Sequence, residues 1–416
     1  MSFDAIMLQH AQGLLGLRDE SVAIARDGLL ADLMNVTKPL LAGSALVEVN
    51  LLVLNHAAEI VSNILCSEEI KGGRAIPDLY SWVQTVGTEA TTQALYGMEN
   101  PMVTNQDLVD DVWCFESGLR VLGLNVFPRV IANRAYHARE RLIDSISSLF
   151  SPPMLERLPN LTRRRVEVIQ GQGIEDPREI ARIELALLHG ATVNTIPALF
   201  WTIAHIFARP DLVARIRAEI MPLVTFTPSE EGGHSTQAEF LLNDLLTACP
   251  LLTSTYREVI WFSNQAMSTC HVMTDTPVAD ERGREYVLRA GCSVIMPATG
   301  HMEGDVWGTK KDHFDPERFL DWDDYKASRH RRLVYMPFGG GRHLCPGRHL
   351  AKAEILGFTM MLLVSFDMEG IEIPTLEPAR LGQGVGKPEY LRKGGSLSVR
   401  LMTRKGFNNV MWTVKE

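Results

Sequence analysis

A single cysteine lies between a run of glycines and a predicted helix in the last quarter of the chain. Gly341 ends the glycine run, Cys345 follows, and Gly347 opens an amphipathic helix. A thiol at a helix N-terminus is favoured as the thiolate, because the positive end of the macrodipole lies there. Glycines let backbone amides approach the sulfur, and Phe338 is placed to pack on a flat ligand. The pattern suits one thiolate that binds an iron atom held in a planar macrocycle.

Other kinds of site explain these residues less well. A lone buried cysteine is usually an inert core residue. A glycine-rich loop can bind phosphate, but the GxxxxGK[ST] pattern is absent from the sequence. His343 and His349 flank Cys345, yet no second cluster of cysteines or histidines completes a set of four zinc ligands. The iron–thiolate interpretation is therefore favoured.

The elements that position this cysteine are predicted to be mainly α-helical, with a small β part. Apolar residues recur three and four apart, and glycines and prolines separate the stretches. The predicted helices include residues 46–64, 78–95, 136–150, 178–207 and 211–223. Alternating patterns predict strands at residues 285–288, 292–296 and 396–402, the first two flanking Arg289–Gly291 as in a hairpin. With no internal repeat and no long linker, residues 1–416 are expected to form a single domain.

Composition excludes several classes of protein. Hydrophobic residues make up 46% of the chain and charged residues 22%, which is typical of a globular protein. The net charge of -9 argues against a nucleic-acid partner, whose binding surface would be basic. Six cysteines are too few for a disulfide scaffold. The sequence shows no signal peptide and no long apolar run, so we expect no transmembrane anchor.

The cysteine motif and two other stretches resemble the cytochrome P450 superfamily. The haem-binding motif FxxGxxxCxG is matched by Phe338, Gly341, Cys345 and Gly347. Residues 314–319 read FDPERF, similar to the family's FxPERF element, and residues 190–195 resemble its distal oxygen-binding helix. The style of these motifs is similar to the branch that contains bile-acid hydroxylases and prostacyclin synthase, together with many fungal enzymes.

This resemblance implies the cytochrome P450 fold and a haem b (heme b) cofactor whose iron is bound by Cys345. It implies that Arg342 and His343 lie beside the haem, and that Glu258 and Arg318 hold the cysteine loop. Thr195 and Asn194 would handle the distal oxygen and its protons, next to a helix break that Pro197 causes. Because the Asn194 amide cannot titrate, it would orient water rather than relay protons.

Four departures from the family pattern bear on haem binding. Trp261 replaces the arginine of the ExxR motif, and Cys270 replaces an arginine expected to bind a haem propionate. His343 replaces the arginine two residues before the cysteine, and fewer residues than usual precede the aligned region. A charge-assisted hydrogen bond contributes about 1.5–3 kcal/mol, so haem is expected to be held less tightly.

The resemblance implies a monooxygenase that oxidises a small apolar molecule in fungal secondary-metabolite biosynthesis. It would use dioxygen and electrons from NADPH-cytochrome P450 reductase, which would dock on basic residues near Cys345. Two alternatives remain open: a haem-dependent isomerase or dehydratase that needs no reductase, and a non-catalytic relative. We expect a monomer, located in the cytoplasm or peripherally on the endoplasmic reticulum.

Overall fold

The architecture was analysed in a computed structural model, which describes residues 4–228, 236–280, 282–298, 304–378 and 384–416. Most of the described chain is α-helical, as the apolar periodicity predicts. The α-helices span Asp4–Leu15, Asp19–Ile24, Leu30–Leu40, Gly43–Cys66, Leu79–Tyr96, Pro101–Thr104, Asp107–Leu122, Pro128–Ile131, Asn133–Ser147, Pro152–Leu155, Asn160–Gly171, Pro177–Thr192, Thr195–Phe207, Pro210–Ile220, Leu242–Thr247, Pro250–Phe262, Tyr325–Val334 and Arg348–Ser365. The five predicted helical stretches correspond to these helices, except that residues 148–150 and 221–223 form 3₁₀-helices and the stretch 178–207 is broken at residues 193 and 194.

Local sequence determines where several of these helices begin. The Asp78 carboxylate accepts a hydrogen bond from the Ser81 amide and caps Leu79–Tyr96. Asp324 caps Tyr325–Val334 in the same way. Proline is the first residue of Pro177–Thr192, where its missing amide hydrogen costs nothing.

The strands form four small sheets rather than one large sheet. They are β1 Arg74–Ile76, β2 Thr225–Pro228, β3 Thr236–Leu241, β4 Met267–His271, β5 Thr276–Ala279, β6 Glu285–Leu288, β7 Ser293–Pro297, β8 Phe366–Glu369, β9 Val399–Thr403 and β10 Val410–Lys415. The sheet orders are β1-β9-β8, β10-β3-β2, β4-β7 and β5-β6. The strand predicted over residues 396–402 corresponds to β9.

The predicted hairpin between β6 and β7 is wrong in its pairing. Both strands form, but β6 pairs with β5 and β7 pairs with β4. The Asp275 carboxylate accepts hydrogen bonds from the Ala290 amide and the Arg289 guanidinium, and the Gly291 amide donates to Val272 O. These contacts hold the 289–291 connection against the segment between β4 and β5, so each later strand pairs with an earlier one.

Two clusters of buried side chains form the interior. The main cluster extends in sequence from Ala11 to Val414 and includes nine residues of the Thr195–Phe207 helix, whose thirteen residues are all buried. The second cluster, here called the aromatic cluster, lies beside the cysteine loop. It comprises Trp261, Trp307, Phe319 and Trp322, with Phe262, Val334 and Tyr335 packed against it.

Two helical stretches are long and apolar enough to span a membrane by length and composition alone. They are Gly43–Cys66 and Pro177–Phe207, the second of which is broken at residues 193 and 194. In the most apolar window of each, 56% and 61% of the residues respectively are buried inside the fold. Core helices of globular proteins meet the same criteria, so the finding is weak evidence for a membrane span.

Candidate functional site

The cysteine loop is closed by a backbone hydrogen bond across the motif. The Cys345 amide donates to Phe338 O at 3.0 Å. Gly339 and Gly341 have φ angles of 73° and 60°, in the left-handed region that favours glycine. The loop therefore places Cys345 two residues before Gly347, which immediately precedes the helix Arg348–Ser365, here called the cysteine helix.

Opposing influences act on the half-buried Cys345 thiol. Burial has the largest effect and leaves the pKa of the thiol raised, although hydrogen bonds from the Gly347 and Arg348 amides and the Arg348 charge act to lower it. Arg348 is held in place because its guanidinium donates to Cys345 O at 2.9 Å. These amides and this cation would stabilise a thiolate, which is the form of cysteine that binds metals.

Glu258 and Arg318 form a buried ion pair, as predicted. Glu258 lies on the helix Pro250–Phe262, here called the glutamate helix, and is fully buried. Its carboxylate accepts hydrogen bonds at 2.8 Å from Arg318 Nε and from the Asp315 amide. Burial raises the pKa of Glu258 to about 7, and these two donors oppose the rise.

Trp261 occupies the position of the missing arginine and contacts the same guanidinium. The Arg318 guanidinium carbon lies 4.7 Å from the centroid of the Trp261 ring. The Arg318 Nη2 atom also donates to the main-chain oxygen of His313 at 2.7 Å and to that of Lys310 at 3.1 Å. Arg318 is thus held by a carboxylate, an indole face and backbone carbonyls. The Trp261 ring takes the place of the second arginine beside this ion pair.

The aromatic cluster links this ion pair to the start of the cysteine loop. Tyr335, which immediately precedes the loop, packs against Phe319 and Trp322 with ring centroids 5.1 and 4.8 Å apart. Its hydroxyl donates to Arg257 O on the glutamate helix at 3.2 Å. Displacement of Arg318 or Trp261 would therefore be transmitted to residue 335 through packed rings.

The distal helix consists of two segments, Pro177–Thr192 and Thr195–Phe207, separated by Val193 and Asn194. Pro197 has no amide hydrogen for the Val193 carbonyl, and the break lies where this proline predicts it. Thr195 is 8% exposed and is the first residue of the second segment, while Asn194 is exposed. Both predicted distal residues therefore lie at the break in the helix.

Asn194 makes a contact that was missed in the sequence. Its Oδ1 accepts a hydrogen bond of 3.0 Å from the amide of Val385, 191 residues away. No local pattern indicates such a pairing, although glycines at 384 and 386 mark a place where chains approach closely. The side-chain oxygen of Asn194 therefore binds the backbone of residues 384–386 from its place in the helix break.

Two other polar residues, Thr192 and His189, lie on the first segment of the distal helix. Thr192 is buried, and its hydroxyl donates to Leu188 O at 2.9 Å, so it serves the helix itself. His189 Nε2 is buried and has no hydrogen-bond partner among the described residues. Burial and the charge of Lys387 lower the His189 pKa to about 4, so the imidazole is neutral.

The donor set fits one axial thiolate of a haem. Within the described residues, no group of three or more histidine, cysteine, aspartate or glutamate side chains could hold a metal ion, so the half-buried Cys345 is not part of a multidentate site. Its amide donors suit a thiolate ligand. At the propionate positions, Cys270 is half-buried on β4 and His343 is exposed. The Arg342 side chain and residue Gln383 lie outside the described part of the structure.

A buried acid on the cysteine helix was also missed in the sequence. Glu354 is 3% exposed, and burial raises its pKa to about 8. Thr91 Oγ1 lies 2.6 Å from Glu354 Oε1 and 2.8 Å from Gly87 O. A hydroxyl has one hydrogen, so Thr91 can donate to the carbonyl while a neutral Glu354 donates to Thr91. The position of Glu354 among apolar helix residues was the only signal in the sequence.

Comparison with known proteins identifies the family. A family model for cytochrome P450 matches residues 170–392. A cytochrome P450 monooxygenase of Gibberella zeae is 33% identical over 376 residues, which cover 88% of this chain and 69% of the relative. Cytochrome P450 monooxygenase nodJ of Hypoxylon pulicicidum is 27% identical, over 97% of this chain and 77% of the relative.

A solved structure agrees with these matches at the level of the fold. Retinoic acid-bound cyanobacterial CYP120A1 superposes with a TM-score of 0.64, covering 89% of this chain and 78% of that one, at 17% sequence identity. The chain therefore belongs to the cytochrome P450 family. The enzyme class that the matched relatives define is the cytochrome P450 monooxygenases, and the predicted family and mainly helical fold are confirmed.

Proposed function

We propose that this chain is a haem-thiolate monooxygenase that oxidises a small, largely apolar molecule in fungal secondary metabolism. The observation that carries the proposal is the Cys345 thiol, which receives hydrogen bonds from the Gly347 and Arg348 amides at the start of the cysteine helix. Bound haem would supply reductive activation of dioxygen, so that one oxygen atom enters the substrate and the other leaves as water. We infer that residues 1–416 form one domain, which the single main core supports.

Each loop residue has a distinct proposed role. Cys345 binds the iron, Phe338 packs beside the thiolate and the haem, and Gly341 and Gly347 let the chain turn around the sulfur. Glu258 and Arg318 hold the loop through the aromatic cluster. His343 and Arg342 border the haem edge.

The distal residues orient water and substrate in this proposal. Thr195 would hold a proton-donating hydroxyl at the helix break, and Asn194 would contribute a hydrogen bond without titrating. The unpartnered Nε2 of the neutral His189 favours a substrate with one uncharged polar group, such as a hydroxyl or a carbonyl.

We propose that electrons come from NADPH-cytochrome P450 reductase, docked at the start of the cysteine helix. His343 and His349 are exposed there, and Arg348 is half-buried. Lys352 contributes less than the sequence implies, because its ammonium donates to Leu246 O and burial lowers its pKa. Among the described side chains, Arg348 is therefore the cation that this surface offers to an acidic partner, because burial and the Arg348 and Lys352 charges lower the pKa of His349.

The test is the carbon monoxide difference spectrum of the reduced protein after reconstitution with haem. The wild-type protein is expected to show the band of a thiolate-bound haem, and Cys345→Ala is expected to lose it. Cys292→Ala is the matched control, since that cysteine is free and exposed. A wild-type protein that takes up no haem, or a band that survives Cys345→Ala, would overturn the proposal.

Turnover then separates the monooxygenase from an isomerase or dehydratase. With a small alkyl aryl ether as the probe, the monooxygenase dealkylates only when NADPH and the reductase are present. Rearrangement of an organic peroxide at an equal rate without NADPH, and no dealkylation with it, would favour the isomerase instead.

A further inference from the structure

The segment Gly384–Gly386, here called the glycine turn, is held on one side by the chain that follows the glutamate helix. The Gln265 amide donates to Gly384 O at 2.7 Å, and the Gly386 amide donates to Ser263 O at 2.9 Å. These two backbone hydrogen bonds determine the position of the turn relative to residues 263–265. They involve no side chain, so any sequence with a suitable backbone could make them.

The other side of the glycine turn is held by side chains of the distal helix. Asn194 Oδ1 accepts from the Val385 amide at 3.0 Å, and Trp201 Nε1 donates to Gly386 O at 2.7 Å. One contact comes from the helix break, where Asn194 lies, and the other from the second segment, where Trp201 lies. The turn therefore spans the break and the helix that follows it.

Space at position 384 admits no side chain. A Cβ atom at residue 384 would overlap Asn194 Oδ1 and would lie 2.8 Å from its Cγ. A Cβ atom at residue 386 would lie 2.7 Å from Gln265 Cδ. Asn194 thus occupies the volume that a side chain at residue 384 would fill.

We propose that Asn194 is a positioning residue that fixes the glycine turn against the break in the distal helix, and that Gly384 is the residue that admits it. Thr195 is adjacent in sequence, so the contact sets the separation between Thr195 and the turn. A change in this separation would alter the space beside the break, where the proposed function places the substrate. The pair Asn194–Gly384 is therefore specificity-determining, a statement that rests on the proposed function.

A carboxamide suits this role because it accepts a hydrogen bond without carrying charge. Asp at position 194 would keep the acceptor oxygen, whereas Ala would remove it. If Asn194 acted only by orienting water for proton transfer, Asp would change the pH dependence of turnover and Ala would leave the turn unaffected. The two substitutions therefore separate positioning from proton handling.

The test measures amide hydrogen exchange at Val385, by mass spectrometry with residue-level fragmentation, on the full-length protein as it is isolated. Asn194→Ala is expected to speed exchange at Val385 at least threefold, and Asn194→Asp to leave it within twofold of wild type. The Gln265 amide is the internal reference, because its acceptor is a backbone carbonyl. Unchanged exchange at Val385 in Asn194→Ala overturns the proposal.

Substitution of the glycine gives a second, independent measurement. Gly384→Ala is expected to speed exchange at Val385 because the new methyl group displaces Asn194, and Asn194→Ala combined with Gly384→Ala is expected to exchange no faster than Asn194→Ala alone. Gly190→Ala is the matched control, since a Cβ there meets no atom within 4 Å. Additive effects of the two substitutions would contradict the steric pairing.

A third readout connects the contact to the haem pocket in the reconstituted protein. Asn194→Ala is expected to change the dissociation constant for 4-phenylimidazole, followed spectrally, at least fivefold, while Asn194→Asp stays within twofold. Equal constants for all three proteins would overturn the specificity role. Failure to bind haem would instead contradict the proposed function, and the exchange measurement would remain decisive for the turn.

Discussion

Arg318 lies between a carboxylate and an indole: its Nε donates to Glu258 at 2.8 Å, and its guanidinium carbon lies 4.7 Å from the Trp261 ring centroid. A guanidinium on an indole face is stabilised by about 0.5–2 kcal/mol, more when the pair is desolvated. Arg318 and Trp261 are both almost completely buried. The indole therefore provides part of the support that a second arginine would provide through charge.

Loss of the aromatic ring at residue 261 is expected to lower the free energy of unfolding more than a reduction in the size of the ring does. Trp261→Phe keeps an aromatic face and is expected to lower the free energy of unfolding by about 1–2 kcal/mol, whereas Trp261→Leu is expected to lower it by about 3–5 kcal/mol. Urea denaturation followed by circular dichroism measures both. The same two substitutions at Trp82, which stacks on Phe358, serve as controls. A phenylalanine-to-leucine difference no larger than at residue 82 would contradict the cation–π role.

Restoring the family's arginine is expected to destabilise this chain. In Trp261→Arg, a second guanidinium would be buried near Arg318 and among Trp307 and Phe319, with the single carboxylate of Glu258 to neutralise both. A buried cation without its own partner costs several kcal/mol. We expect thermal unfolding at a lower temperature than in Trp261→Phe. A variant as stable as wild type would show that the pocket accommodates both cations.

Stability is expected to fall with rising pH because of Glu354. Its pKa is raised from 4.5 to about 8 by burial, so the folded state binds the proton more tightly than the unfolded state. The resulting stabilisation is complete below about pH 4.5 and is lost as the pH rises to 8, with a limiting slope of about 1.4 kcal/mol per pH unit. Glu354→Gln stays neutral and keeps a hydrogen bond to Thr91, so its advantage over wild type should grow from pH 5 to pH 8.5. Parallel curves of unfolding free energy against pH would refute this.

Removal of one member of the Arg165–Glu184 pair is expected to destabilise the distal helix. Arg165 Nη2 and Glu184 Oε1 lie 2.9 Å apart, with side chains 8% and 1% exposed, and Arg165 also donates to Thr37 at 2.7 Å. Arg165→Met alone leaves a buried carboxylate and should cost about 3–5 kcal/mol. Arg165→Met with Glu184→Leu should recover most of that loss. Equal unfolding free energies for the single and double variants would count against a buried charge as the cause.

Gly357 is expected to tolerate no side chain unless Leu54 becomes smaller. A Cβ atom at residue 357 would overlap Leu54 Cδ2, where the cysteine helix crosses Gly43–Cys66. Gly357→Ala should cost about 1–3 kcal/mol by overpacking. Combined with Leu54→Ala, it should cost less than the sum of the two single changes by at least about 0.5 kcal/mol. Strict additivity in denaturation experiments would show that the helices shift apart instead.

Features encoded in local sequence were predicted well. The helices over residues 46–64 and 211–223 follow from apolar periodicity, and the break at Asn194 follows from Pro197, because both depend on neighbours along the chain. The pairing of Glu258 with Arg318 came from family resemblance, and the structure shows it at 2.8 Å.

Features that depend on distant segments were missed or wrong. The partners of β6 and β7 are set by contacts of Asp275 with residues 289 and 290, which no strand pattern contains. The bond between Asn194 and Val385 joins residues 191 positions apart. At Trp261 the sequence showed only that an arginine is missing. The contact of its ring with Arg318 was not predicted, because it depends on the aromatic residues packed around Trp261.

The aromatic cluster also makes this corner of the molecule optically distinct. Three of the seven tryptophans, Trp261, Trp307 and Trp322, are packed together next to Arg318 and Tyr335. Much of the intrinsic fluorescence therefore originates beside the cysteine loop, while helical content is distributed along the whole chain. Emission intensity can report the opening of the loop region separately from global unfolding, and quenching by an added chromophore would report its arrival near Cys345 without any measurement of catalysis.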